Sequence, residues 1–217
     1  MLAAQIRLIG EHLVHCQEPC AGVQQAPQTG ILPRGLLLER RDPEGRGCLV
    51  AGLNPGRSTA AERAFYLDRG VSYEAVTQYW QEKACRGPYY IRLRKLVTAL
   101  GLSGHLLWSD LAKCESAPET PGLLPLQTLR TCSGRFLRAE LSALPPAWPL
   151  FGVGTEAFKA LAYLEPTRTV IGVPHPTGAR GWFAALYQDG GLKPEVVEAA
   201  HTALASPLPT TVWLSAR

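Results

Sequence analysis

The chain has 217 residues, 46% hydrophobic and 18% charged, enough apolar surface to bury a core of ordinary size. No run approaches the ~20 apolar residues of a membrane span. Leu2 to Ile9 is apolar, but Arg7, Glu11 and the lack of a small-residue cleavage site argue against a signal peptide, so a single soluble domain over residues 1–217, monomeric and cytoplasmic, is expected. With 22 Lys and Arg against 18 Asp and Glu, the net charge of +4 admits an anionic partner such as nucleic acid without requiring one.

Leu2, Ile6, Ile9 and Leu13 recur at helical spacing and predict an N-terminal helix that stops near Cys16. Residues 17–33, broken by Pro19, Gly22, Pro27, Gly30 and Pro33, read as loop, and residues 36–39 as a strand or a lead-in segment before the turn at Asp42-Pro43-Glu44-Gly45. Residues 47–53 read as a fully buried strand running into Gly52-Leu53-Asn54-Pro55-Gly56. Helices are predicted over 60–67, with Ser58 or Thr59 as N-cap, over 73–84, and over 89–100 closed by Gly101. Residues 105–111 form the next strand, which leads to Lys113-Cys114, and a loop over 118–125 precedes a helix over 128–144. The strand at 149–153, a helix over 156–164 capped by Thr155, and a β-branched strand at 167–173 follow. That strand ends at His175-Pro176-Thr177-Gly178-Ala179-Arg180. Residues 181–188 and 194–205 are predicted helices, and Thr211-Val212-Trp213-Leu214 is a strand or an extended end. Strands alternating with helices imply a parallel sheet covered on both faces.

Both Gly-containing loops stand where a parallel strand ends, so each can direct a polar side chain and freed backbone N–H groups toward one crevice. The six cysteines, in a chain without a secretion signal, point to metal ligands, buried thiols or both rather than a disulfide framework. Cys48, inside an apolar run, reads as core. Cys16 and Cys20 form a C-x3-C pair at the end of the first helix, and Cys114 and Cys132 flank a Pro-rich excursion that could fold back toward them. These four could make one site, with Cys85 to spare.

Gly52-Leu53-Asn54-Pro55-Gly56 resembles the first motif of the mismatch-specific uracil/thymine branch of the uracil-DNA glycosylase superfamily, and His175-Pro176-Thr177 resembles its second. Asp110-Leu111-Ala112-Lys113-Cys114, followed by Cys132 and Phe136-Leu137, resembles a segment of the iron–sulfur enzymes of family 4. The resemblance spans Leu2 to about Tyr187, as a mosaic of two branches. It implies an α/β fold, a three-layer α/β/α sandwich around a four-stranded parallel sheet. It also implies hydrolysis of an N-glycosidic bond in DNA, with a damaged or deaminated base, uracil foremost, flipped out of the duplex.

On that resemblance Asn54 positions the attacking water and His175 donates a hydrogen bond to the departing base. Gly52 and Leu53 line the base, and Tyr66 or Phe65 stacks on it, Tyr66 being the first choice. Arg57, Thr177, Gly178 and Arg180 meet the DNA. Cys16, Cys20, Cys114 and Cys132 hold a [4Fe–4S] cluster, although family 4 has C-x2-C for the first pair; zinc would accept the same four thiolates. Asp110 stands where family 4 has the Asn that reads the uracil edge. An ionised carboxylate offers only acceptors, which suits the uracil N3–H and repels O4. Three readings follow: Asp110 is protonated, the base presents donors, or Ser109 does the reading. Two alternatives of another class stay open. One is a catalytically weak or inactive metal-stabilised DNA-binding homologue; the other is a nucleotide enzyme with a phosphate at a helix N-terminus.

Overall fold

Apolar runs buried on both faces make the strands of a central sheet. The computed structural model describes residues 1–119, 124–178 and 180–215. In it β1 (Leu36–Glu39), β2 (Cys48–Gly52), β3 (Leu106–Asp110), β4 (Leu150–Val153), β5 (Val170–Val173) and β6 (Thr211–Trp213) form one sheet in the order β6-β5-β4-β2-β3-β1. Every residue of β2, β4 and β5 is buried, the mark of strands enclosed on both faces. The pairs β2–β4, β4–β5 and β5–β6 run parallel, with Leu150 opposite both Leu49 and Val170. The fold is the expected α/β type, a mostly parallel sheet flanked by helices, but with six strands where four were expected. The two extra strands are edges. Leu36 and Leu37 anchor β1 at 0% and 6% exposure, and β6 pairs with β5 while Trp213 packs edge-on against Phe158, 5.4 Å between ring centroids.

The chain divides into two compact units. The first comprises Met1–Leu38, Asn54–Ala84 and Ser109–Leu144. In it α1 (Leu2–Val14) buries Ile6, Leu13 and Val14, and Gly10 lets it approach α3 (Tyr73–Glu82), where any Cβ would collide with the Tyr73 ring. α2 (Ala60–Arg69) is capped by Thr59, whose Oγ1 accepts the Glu62 N–H at 3.1 Å; of the two candidate caps Thr59 is the one used. The helix expected over 128–144 is interrupted: α5 (Leu126–Cys132) passes through a π-helical segment, Ser133–Leu137, into α6 (Arg138–Ala143). Within the loop predicted at 17–33, Val23–Gln24 pairs antiparallel with Glu115–Ser116. Part of the predicted 118–125 loop, residues 120–123, lies outside the described residues.

The second unit comprises Glu39–Leu53, Cys85–Trp108 and Pro145–Arg217. It holds most of the sheet with α4 (Pro88–Ala99), α7 (Thr155–Leu164) and α8 (Pro194–Ala205). Gly154, at φ +85°, takes the N-cap position of α7, so Thr155 begins the helix rather than capping it. Residues 181–188 do not form the predicted helix. Gly181 has φ +67°, Ala184–Leu186 makes one 3-10 turn, and Tyr187–Gln188 turns back through Asp189 and Gly190, both at positive φ, to pair with Gly191–Leu192. The apolar spacing that suggested a helix serves to seat Phe183 and Leu186, at 4% and 0% exposure. Among the described residues no helix is long and apolar enough to cross a membrane.

Candidate functional site

In the first unit Asn54 is half-buried, two residues past the end of β2. Its Nδ2 donates to the Ser116 Oγ at 3.0 Å, the Pro55 carbonyl at 3.3 Å and the Cys114 carbonyl at 3.4 Å. Carbonyls can only accept, so they fix the amide nitrogen on that side and leave Oδ1 as an acceptor with no partner among the described residues. The following turn is held by Arg34, which donates to the Gly56 carbonyl at 2.5 Å and pairs with Glu62 and Glu115, each at 3.0 Å. Glu115 also accepts the Ser58 N–H at 2.6 Å and Gln24 Nε2 at 2.8 Å. Burial alone would raise the Glu115 carboxyl, but the Ser58 N–H and the Arg34 guanidinium outweigh it and hold the group below its ordinary value.

Asp110 ends β3, half-buried against Gly35. A Cβ on Gly35, whose φ is +87°, would stand 2.7 Å from Asp110 Oδ2, so only glycine leaves room for this carboxyl. Among the described residues its oxygens take part in no hydrogen bond. Burial pushes the acid up to about 8; Lys113 and Arg34 pull downward and Glu140 adds to the rise. Ser109 is engaged elsewhere: its Oγ donates to Glu140 Oε2 at 2.5 Å and accepts from Lys113 Nζ at 2.7 Å. Lys113 also pairs with Glu140 Oε1 at 2.7 Å, both side chains fully enclosed, and donates to the Gly35 carbonyl at 3.2 Å. The Ser109 hydroxyl is thus committed to this buried pair.

Of the two candidate stacking residues, Tyr66 is buried at 2% exposure. Its hydroxyl donates to Glu62 at 3.1 Å, and its ring meets Tyr79 edge-on at 5.6 Å. The first choice is therefore corrected: Tyr66 is core, and Phe65, half-buried with Arg69 5.6 Å above its ring, keeps the accessible surface. Arg57 is exposed and donates to the Pro118 carbonyl at 3.2 Å.

Cys16, Cys20, Cys114 and Cys132 all line one small pocket, closed by Leu13, Val23 and Phe136. All four are free thiols. The Lys113 N–H donates to Cys132 Sγ at 3.2 Å. Burial, helped by the neighbouring thiols, raises Cys114 and takes Cys132 up to about 11 against the downward pull of Lys113. Two buried and two half-buried thiols that raise one another's pKa, with an N–H···S bond to one of them, suit a cationic metal group, which reverses that repulsion. Among the described residues no three His, Cys, Asp or Glu side chains are drawn together around a single ion. Cys48 is core, as expected, its thiol raised by burial.

In the second unit Gly52 is buried and Leu53 half-buried at the end of β2. His175 is exposed after β5. Its Nδ1 accepts the Thr177 backbone N–H at 3.3 Å, which leaves the ring proton on Nε2. Tyr89 stands 5.4 Å from the imidazole, and the chain packed around the ring lowers its pKa below the ordinary value, so it is neutral at pH 7. Arg92 of α4 donates to the Pro176 carbonyl and ties down the loop. Gly178 closes a turn on the His175 carbonyl at 3.1 Å, while Ala179 lies outside the described residues. The Arg180 guanidinium lies 5.1 Å over the ring of Trp182, which is 59% exposed.

Sequence reasoning missed Arg34, Glu62, Glu115 and the Lys113–Glu140 pair. One signal was present: in Leu111-Ala112-Lys113-Cys114-Glu115 two charges interrupt a buried run, and charges there must find partners. The chain matches no protein-family model and no curated protein.

Proposed function

We propose that this chain is a DNA glycosylase that hydrolyses the N-glycosidic bond of a flipped, deaminated base, with uracil the leading substrate. The observation that carries the reading is Asn54, whose amide nitrogen is tied to two carbonyls and a hydroxyl while Oδ1 has no partner among the described residues. A carboxamide is not a base. It can only accept a hydrogen bond from a water and hold it against the sugar carbon, which suffices where the departing base leaves an electron-poor sugar behind. In the second unit His175, neutral with its proton on Nε2, offers a donor of the kind that a base oxygen gaining charge needs. Phe65 offers a ring face for the base, and Arg180 on Trp182 offers a cation and an aromatic surface to DNA.

The four thiols fit a [4Fe–4S] cluster carried by Cys16, Cys20, Cys114 and Cys132. When bound, such a cluster would cross-link the end of α1, the segment after β3 and the end of α5. Because the Cys114 carbonyl and Ser116 both hold Asn54, that segment also sets the water-binding amide.

Incubation with a U·G duplex should release free uracil, and Asn54→Ala should slow release by about 10²-fold. Binding of the duplex without release from uracil, thymine, hypoxanthine or xanthine substrates would replace this reading with a DNA-binding homologue. A broad visible band that bleaches on reduction, lost in Cys114→Ser, is expected for the cluster; a colourless protein containing zinc would assign the same thiols to zinc.

A further inference from the structure

Asn54 is the only asparagine among the 217 residues, and three acceptors converge on its amide nitrogen. The Ser116 Oγ is the nearest of them, at 3.0 Å against 3.3 Å for the Pro55 carbonyl and 3.4 Å for the Cys114 carbonyl. It is also the one acceptor of the three that belongs to a side chain, so it can be removed without touching the backbone. These surroundings distinguish an amide from an acid, because a carboxylate at position 54 would meet two carbonyl oxygens that cannot donate. They also distinguish the two ends of the amide, because only Nδ2 satisfies them.

Ser116 is itself fixed. Glu115 and Ser116 pair antiparallel with Gln24 and Val23, which sets the direction of both side chains. Glu115, at 1% exposure, accepts from Gln24 Nε2 at 2.8 Å and the Ser58 N–H at 2.6 Å, and pairs with Arg34 at 3.0 Å. Two adjacent residues therefore hold the loop after β2 at two places, Ser116 at Asn54 and Glu115 at Ser58. Resting on the glycosylase reading, we infer that Ser116 is a positioning residue for the attacking water. It acts through Asn54: its Oγ accepts the amide N–H, keeps Nδ2 toward residues 114–116 and leaves Oδ1 to accept from the water. Without that acceptor the amide turns about its last bond, and the water is held in line for less of the time, while affinity for DNA is untouched.

The test compares wild type with Ser116→Ala, which removes the acceptor, and Ser116→Thr, which restores it. Single-turnover release of uracil from a U·G duplex and the duplex Kd are measured alongside the ¹H–¹⁵N side-chain amide pair of Asn54, the sole such signal in protein labelled at asparagine. Ser116→Ala should slow release by about five- to tenfold, the worth of one hydrogen bond, with Kd unchanged. Its amide pair should shift and exchange faster with water. Ser116→Thr should match wild type in both rate and resonance. An unchanged rate in Ser116→Ala, an amide pair that it does not move, a loss confined to Kd, or a Ser116→Thr variant as slow as Ser116→Ala each overturns the inference. If none of the three proteins releases base while the amide pair responds as stated, the glycosylase reading fails and the hold of Ser116 on Asn54 stands.

Discussion

In the second unit the interior is hydrocarbon: Leu150, Phe151, Val153, Val170, Ile171 and Val173 are each at most 3% exposed. In the first unit one of the most deeply buried side chains is a lysine, Lys113, and Arg34, Glu115 and Glu140 are buried with it. The difference concerns tolerance. A hydrocarbon core accepts substitutions that conserve volume, whereas a buried ion network fails when a single partner is lost, because the survivor is left charged and unsolvated.

That contrast can be broken or sharpened by substitution. The largest effect is expected at Lys113→Met, which strands Glu140: a loss of about 3–5 kcal/mol by denaturant unfolding. Adding Glu140→Gln should recover much of it, since the Ser109 hydroxyl keeps an acceptor. If the double variant is no more stable than the single one, the network is not what holds this region. Phe151→Ala should lose a similar ~3–5 kcal/mol in the sheet, and its loss should not depend on pH.

Asp110 gives a signature of a different kind, in the pH dependence of stability. Its folded-state pKa of about 8 lies above the ordinary 3.8, so folding takes up a proton between those values. Stability should decline as pH rises through that window and level off above about 8. Asp110→Asn should flatten the slope; equal slopes for the two proteins would show that the acid is ordinary. Glu115 works in the opposite sense. Its contribution is present at neutral pH and fades only as acidification passes its depressed value. The smallest effect, about 1 kcal/mol, is expected for Thr59→Ala at the cap of α2.

The same contrast explains what could be read in the chain. Strands β2 to β5 are apolar runs, and α8 begins at Pro194, where a proline belongs. Asn54 and His175 stood out in the sequence because each lies beside a proline just past a buried strand. The edge strands were only half-visible because β1 and β6 are short and are completed by their neighbours. The 181–188 segment misled because Phe183 and Leu186 keep helical spacing in a chain that turns at Gly181. Tyr66 and Phe65 are adjacent aromatics, and no pattern tells which one faces inward. The ion pairs were invisible for a different reason: Lys113 and Glu140 lie 27 positions apart, and nothing local in either predicts the other.

The π-helical segment between α5 and α6 governs how these pieces meet. Cys132 and Glu140 are eight residues apart, which in a regular α-helix at about 100° per residue places them about 80° apart around the axis. One inserted residue, the usual content of a π-bulge, brings that to about 20°. Lys113 can then touch both, its backbone N–H on Cys132 and its ammonium on Glu140. The segment is in effect a phase adjuster: it lets eight residues span the arc that seven span in a regular α-helix, which keeps the Cys132 thiol and the Glu140 carboxylate on one side of the helix.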